Sequence, residues 1–386
     1  MRTVLLTERV RREVRLGPAD AAFLLERHPH LNPKPTARRG RWLLTPGRLV
    51  GVVTAPACRL HIRPKLPLRN LWLLLDPDRP PPPEDRGDGT AHFLLDPLAG
   101  RLAALMAERS AAGLGRGYAE RGGRGAVLEG RPDVAAQVRD GPARRDRLHW
   151  QGEDWSADVP RNQAARAVAE RLLADGLLGP ATAAALRSAL AGFDGVRPLE
   201  PPPSWWARLD TERDGYGPLL SLCRLLREGL ADGGAGQAPA FLLDLERVWE
   251  RYVTRGLVTA FAGAASVSVA VQAERTISAA GLVMRPDVTV EGPAGVLLTA
   301  DAKWKRLGSA GPPTDDVYQA LAYAAALGSA RTLLVYPGRR DRLRTHRLER
   351  AGVTLEVRTL RVTGAPAECL RSLARLGRRL RRLCGP

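Results

Sequence analysis

Three residues in the stretch RPDVTVEGPAGVLLTADAKWK, which begins at Arg285, have types and spacing suited to phosphate chemistry: Asp287, Asp301 and Lys303. GVLLTADAKW reads as a buried strand, yet it ends with an aspartate and a lysine two residues apart. Charged side chains are rarely buried unless they pair or bind a metal. Side chains alternate along a strand with period two, so Asp301 and Lys303 share a face and Ala302 points away. On a hairpin, Asp287 near the middle of one strand and Asp301 near the end of the next would lie side by side. Their oxygens could then grip one hard cation, and carboxylate-plus-water sites of that kind favour Mg2+. An ammonium aimed at the same point would orient or help deprotonate an attacking water, or stabilise charge on a scissile phosphate. For these three residues alone, two surface acids and a salt-bridged lysine is an equal alternative.

The elements around them must bring these groups together. FLLDLERVWERYVTRGLVTAF has apolar residues at helical spacing, LVMRPDVTV, GVLLTADAKW and RTLLVYP read as strands, and DDVYQALAYAAAL between the last two reads as a helix. A helix, a hairpin, a helix and a returning strand predict a mixed central sheet flanked by helices. In DDVYQALAYA, Gln319 and Tyr323 are four apart and share one helical face. An exposed glutamine beside a core tyrosine is the plain alternative.

Upstream, GRLVGVVTAP and CRLHIRPKL read as a strand hairpin, and DPDRPPPPEDRGDGT as a loop or linker. Helical spacing returns in HFLLDPLAGRLAALMAERSAAGL. A Gly-rich turn is expected at Gly122 to Gly125, a strand pair in VLEGRPDVAAQV, and further helix from Asp158 and Pro160 onward. The chain is thus expected in three parts: residues 1–90 β-rich, 91–236 mainly helical with a Gly-rich linker at its end, and 237–386 α/β.

Composition narrows the partners. The 386 residues carry a formal net charge of +18, which favours a polyanion such as nucleic acid, although an Arg-rich composition alone would also raise it. The segment RSLARLGRRLRRLCGP holds six arginines and no acid. On a helix its Leu373, Leu376 and Leu380 share one side. No apolar run nears the roughly 20 residues of a membrane span, and the first apolar run is cut by Glu8 and Arg9, so a cytoplasmic protein without membrane association is expected. Cys58, Cys223, Cys369 and Cys384 are too scattered for a zinc site or a disulfide framework.

RPD and DAK together resemble the PD-(D/E)xK nuclease core, and Gln319 with Tyr323 resembles the Q-x-x-x-Y motif of its RecB-like branch. The ordered series LDLERVWERYV, RPDVTV, TADAKWK, DVYQALAYA and LLVYP is similar to the McrC family, the nuclease subunit of McrBC-type 5-methylcytosine restriction systems. GRLVGVVTAPACRLHIRPKL, VLEGRPDV and DVPRNQAARAVAERLL extend the likeness over most of the chain. The resemblance implies a C-terminal restriction-endonuclease-like α/β/α domain and a Mg2+-dependent DNA endonuclease. Asp287 and Asp301 would be metal ligands, Lys303 catalytic, and Gln319 and Tyr323 would reach the site or the DNA backbone. It also implies a third acid on the preceding helix, Glu250 ahead of its competitor Glu246. The implied partner is a hexameric McrB-like AAA+ GTPase that reads the methylated DNA and meets the N-terminal domain. A G-x-x-x-x-G-K-[ST] loop is absent from the sequence, as that division of labour requires. Two other readings stay open: a non-catalytic adaptor of an AAA+ motor, and a standalone RecB-like nuclease.

Overall fold

The computed structural model describes residues 1–75, 94–140, 146–207, 215–230, 239–264, 266–278 and 280–384. The Pro-rich stretch at 76–90, the Gly-rich linker at 231–238 and the boundaries expected near 90 and 236 lie outside them. The chain forms two compact units. One contains Met1–Gly51, the segment from Ala55 through the helix Leu68–Leu75, and everything from Leu243 onward. The other contains Val52–Thr54 and the intervening chain up to Leu242.

This division differs from the expected three parts, because the N-terminal β-rich segment belongs to the same unit as the C-terminal α/β region. The reason is visible in its contacts. Arg48 pairs with Asp244 at 2.9 Å and with Glu246, and its carbonyl accepts the Leu245 N–H. Asn70 donates to the Gly364 carbonyl at 3.1 Å. Removing the segment would therefore strip the α/β region of these partners.

In this unit, β1 (Arg2–Thr7) pairs in parallel with β2 (Cys58–Arg63), and α1 (Leu68–Leu75) follows. The C-terminal part begins with α2 (Leu245–Phe261), whose N-cap Asp244 accepts the Glu246 N–H at 2.9 Å. Next come β3 (Ser268–Val271), β4 (Val288–Gly292), β5 (Gly295–Ala302), α3 (Thr314–Ala326), β6 (Arg331–Gly338), β7 (Arg342–Leu348), β8 (Val353–Arg361) and α4 (Pro366–Cys384). The six strands form one mixed sheet in the order β3-β4-β5-β6-β8-β7. The β4–β5 hairpin is antiparallel, β5–β6 and β6–β8 are parallel, and β7 closes an antiparallel edge.

Both faces of the sheet centre are covered, which is why Leu333, Leu334, Val335 and Tyr336 are all buried in succession. Ala320 of α3 clusters with Leu334, Tyr336, Leu355 and Val357 on one face. On the other face α4 buries Leu373, Leu376 and Leu380, the stripe expected from its spacing. A Cβ on Gly377 would sit 2.5 Å from Ala260 Cβ, so the glycine lets α4 approach α2 closely. The expected strand LVMRPDVTV is broken: Val283–Met284 pairs with Arg275–Thr276, and β4 begins only at Val288. Pro286 lacks the N–H a ladder needs, so Asp287 stands at the strand's entrance and not in its middle.

The second unit is built on helices at Leu95–Ala111, Pro160–Ala174, Pro180–Ala191 and Gly217–Gly229, with a three-stranded antiparallel sheet of Gly117–Gly125, Leu148–Ser156 and Arg131–Pro132. The turn expected at Gly122 to Gly125 is strand instead. A Cβ on Gly123 would lie 2.7 Å from the Trp150 ring, so its glycine makes room for a cross-strand indole, not for a reversal. Only Arg131–Pro132 of the expected strand pair is extended. Asp133 then caps the helix Val134–Arg139 by accepting the Ala136 N–H at 2.9 Å.

Candidate active site

The β4–β5 register sets the geometry. Val288 faces Ala300, so Asp287 at the mouth of β4 lies opposite Asp301 near the end of β5. Both carboxylates are buried, at 8% and 4% exposure. Asp287 Oδ2 accepts the Ala302 N–H at 2.7 Å, which pins its carboxyl across the hairpin. The Lys303 N–H donates to the Val335 carbonyl at 2.9 Å, so the backbone stays extended past the end of β5 and Lys303 returns to the face of Asp301. Its ammonium pairs with Asp301 and donates to Gln319 Oε1 at 2.8 Å.

From there a chain of hydrogen bonds runs around the site. Gln319 Nε2 donates to the Tyr323 hydroxyl at 2.9 Å, and that hydroxyl donates to the Arg285 carbonyl at 3.3 Å. Arg285 donates through Nε to the Gln272 carbonyl and through a terminal nitrogen to Gln272 Oε1, each at 3.0 Å. Gln272 Nε2 in turn donates to Glu250 Oε2 at 3.1 Å, and the Gln272 N–H donates to the Asp287 carbonyl at 2.9 Å. Gln272 takes a left-handed backbone with φ of 43°, which lets one residue bond in all these directions.

The six residues singled out by sequence thus converge. Asp287, Asp301, Lys303, Gln319 and Tyr323 are joined directly, and Glu250 joins through Gln272. Glu246 is drawn instead to Arg48, which separates it from the pair. Trp249 fixes α2 in register, since its buried ring donates to the Val335 carbonyl at 3.2 Å and packs on Trp304. Sequence reasoning missed Gln272, Arg285 and Asp316. Asp316 is 3% exposed, accepts from Lys305 at 2.6 Å and from the Tyr336 hydroxyl at 2.8 Å, and so ties the first turn of α3 to the sheet. The buried acid in DDVYQ was the available signal, but two adjacent aspartates at a helix start read as ordinary capping.

Charge is concentrated here at a cost. Burial, then the Asp301 charge and that of Glu250, push the Asp287 carboxyl up to about 8, against the opposing Ala302 N–H. Burial and the charges of Glu246, Asp301 and Asp244 also raise Glu250. Burial pulls Lys303 down, but Asp301 and Asp287 outweigh it and the net shift is upward, so Lys303 is held as an ammonium. Tyr323 is raised by burial and stays a neutral phenol.

The donor set fits Mg2+ in one respect and is incomplete in another. Two adjacent carboxylates, one pushed toward its protonated form by burial and then by the other's charge, are a pair that a divalent cation would relieve, and Mg2+ commonly takes only one or two carboxylates with water and phosphate oxygens. Among the described residues, however, no three His, Cys, Asp or Glu side chains stand ready as a ligand cluster. Glu250 is joined to Gln272 through Oε2. Also among the described residues, no helix is long and apolar enough to cross a membrane, and all four cysteines are free thiols.

The family described as McrBC 5-methylcytosine restriction system component matches residues 44–337. No curated protein matches. A chain from a solved Thermococcus gammatolerans assembly of McrB AAA+ hexamers with bound McrC aligns over 98% of this chain and 100% of its own, at 15% identity and a TM-score of 0.55. A second, from a cryo-EM structure of the Thermococcus gammatolerans McrBC complex, aligns over 67% of this chain and 88% of its own, at 16% identity and a TM-score of 0.42.

Proposed function

This chain belongs to the family of McrBC 5-methylcytosine restriction system components, and from that premise we propose that it is the McrC-like, DNA-cleaving subunit of such a system. The observation that carries the reading is the buried aspartate pair at the end of a hairpin with the Lys303 ammonium held against it from the far side by Gln319. The core is read as a PD-(D/E)xK domain and the reaction as phosphodiester hydrolysis. Asp287 and Asp301 would hold Mg2+, with Glu250 recruited as a further ligand. When bound, Mg2+ supplies Lewis-acid activation of the phosphate and lowers the pKa of a coordinated water.

The chain's own residues do the rest. Lys303 presents a permanent positive charge where the pentacovalent phosphate gathers negative charge. Gln319 fixes the direction of that ammonium, and Tyr323 fixes Gln319 by taking its amide and anchoring to the Arg285 carbonyl. These side chains hold one another by hydrogen bonds, so little reorganisation would be needed at the moment of reaction. An McrB-like AAA+ GTPase hexamer is the proposed partner, because such hexamers are bound to McrC in the assembly whose chain shares this fold. It would read the methylated base and supply the motor.

The test is cleavage of a methylated and an unmethylated plasmid by this chain with its AAA+ partner, GTP and Mg2+. Cutting confined to methylated DNA, and abolished by chelation, supports the reading. Full GTPase stimulation without any cutting would leave the chain an adaptor.

A further inference from the structure

We propose that Arg342 and Arg344 on the edge strand β7 form a phosphate-binding subsite that holds the DNA backbone on the same sheet face as Asp301 and Lys303. The inference rests on the nuclease reading above and extends it to a place on the fold that chemistry alone did not single out.

The registers make the placement. Asp301 pairs across the sheet with Leu334, Leu334 with Val357, and Val357 with Arg344. Register partners share a face, so Asp301 and Arg344 are the two ends of one row. One step along the strands, Thr359 pairs with both Tyr336 and Arg342, and that row runs on toward Lys303, whose N–H continues the ladder onto Val335. The two arginines thus repeat the spacing of Asp301 and Lys303 three strands away. At about 4.8 Å per strand this is roughly 14 Å between backbones.

A pocket of about 50 Å³ lies between these arginines, lined also by Leu307, Gly308, Val357 and Thr359. That is room for one or two waters, too little for a base but suited to the outer oxygens of a phosphate. Leu307 and Gly308 belong to the loop that leaves Lys303, so the catalytic loop itself forms one wall.

The arginines of this sheet edge are used in two ways, and Arg347 on the α4 face is also exposed without a paired carboxylate among the described residues. On the α4 face, Arg375 is matched to Asp341, and Arg379 donates to both oxygens of Glu356 at 2.8 and 3.2 Å. On the α3 face, Arg342 and Arg344 are exposed and no carboxylate pairs with either among the described residues. Edge protection alone would be served by any charge on either face. Unmatched guanidinium groups beside a pocket in the row of the active-site acids are what a phosphate ester requires.

The experiment uses the full chain and a fluorescein-labelled unmethylated duplex in EDTA, with binding followed by anisotropy across a salt series. Arg342→Ala/Arg344→Ala is compared with Arg381→Ala/Arg382→Ala, which removes equal charge from the exposed end of α4. The first pair is expected to weaken binding about tenfold or more and to reduce the slope of log affinity against log salt by about 1 to 2, the value for two lost phosphate contacts. The control pair is expected to change little. Arg342→Lys/Arg344→Lys should restore most of the slope, which a folding defect would not allow. Wild-type affinity and slope in the alanine pair, or equal losses in the control pair, would overturn the subsite. Failure of the wild-type chain to bind DNA would overturn both the subsite and the nuclease reading. Failure to cleave methylated plasmid with the AAA+ partner, GTP and Mg2+, with binding lost only in the first pair, counts against the nuclease reading alone.

Discussion

Replacing Asp316 tests whether the active-site helix is held by one buried carboxylate. Asp316 sits in the first turn of α3, three residues before Gln319, and takes hydrogen bonds from Lys305 and from the fully buried Tyr336 hydroxyl. Asp316→Ala leaves that hydroxyl buried without a partner, which costs about 1–3 kcal/mol. It also removes a negative charge from a helix N-terminus, worth about 0.3–1 kcal/mol. Lys305 is 37% exposed and can turn to water, so its lost partner adds little. The expected loss is about 2–4 kcal/mol, against about 1–2 kcal/mol for Tyr336→Phe, which leaves Asp316 its lysine. The double variant should be no less stable than Asp316→Ala, because removing the hydroxyl also removes the orphan it would become. Urea unfolding read by fluorescence of the buried Trp249 and Trp304 measures all three. A double variant as unstable as the two single losses combined would refute the shared-carboxylate account, and so would an Asp316→Ala change below about 0.5 kcal/mol.

Further outcomes are specific. Asp287 has a folded pKa raised above its unfolded value, so its stabilising contribution is full below about pH 4 and is lost as pH rises toward 8. EDTA-treated wild type should therefore lose more stability between pH 6 and 8 than Asp287→Asn, by about 1–2 kcal/mol after allowing for a charge shared across the pair, and thermal melts at several pH values check it. Glu250→Gln should raise the Mg2+ concentration for half-maximal cleavage about tenfold, whereas Glu246→Gln should leave it unchanged and lower stability instead, as read from metal titrations and melts. Gly377→Ala forces a methyl into Ala260 and should destabilise the α2–α4 packing by about 1–3 kcal/mol, measurable by urea unfolding.

Much of the site was legible because its parts follow local periods. The two-residue alternation placed Asp301 and Lys303 on one face, and the four-residue helical step placed Gln319 beside Tyr323. What escaped notice depends on long-range packing. Gln272 gains its role only from an unusual backbone angle and from partners up to 22 residues away. Nothing local marks Arg48 as the residue that draws Glu246 aside, because its partners lie 196 and 198 residues further on. The strands at Arg342–Leu348 and Val353–Arg361 were hidden for a different reason. One has arginines where alternation would call for apolar residues, since its edge faces open solvent. Gly122 to Gly125 misled in the opposite sense, because glycine there serves a cross-strand tryptophan.

The most direct measurement is single-turnover cleavage of methylated DNA by the assembled complex with Asp301→Asn in place of the wild-type chain, and with GTP hydrolysis followed in the same tubes. The account predicts undiminished GTPase stimulation with cleavage reduced by at least about three orders of magnitude, the scale on which removing a group that acts at the transition state is felt. Cleavage by Asp301→Asn at the wild-type rate would contradict it and move the chemistry away from the paired aspartates.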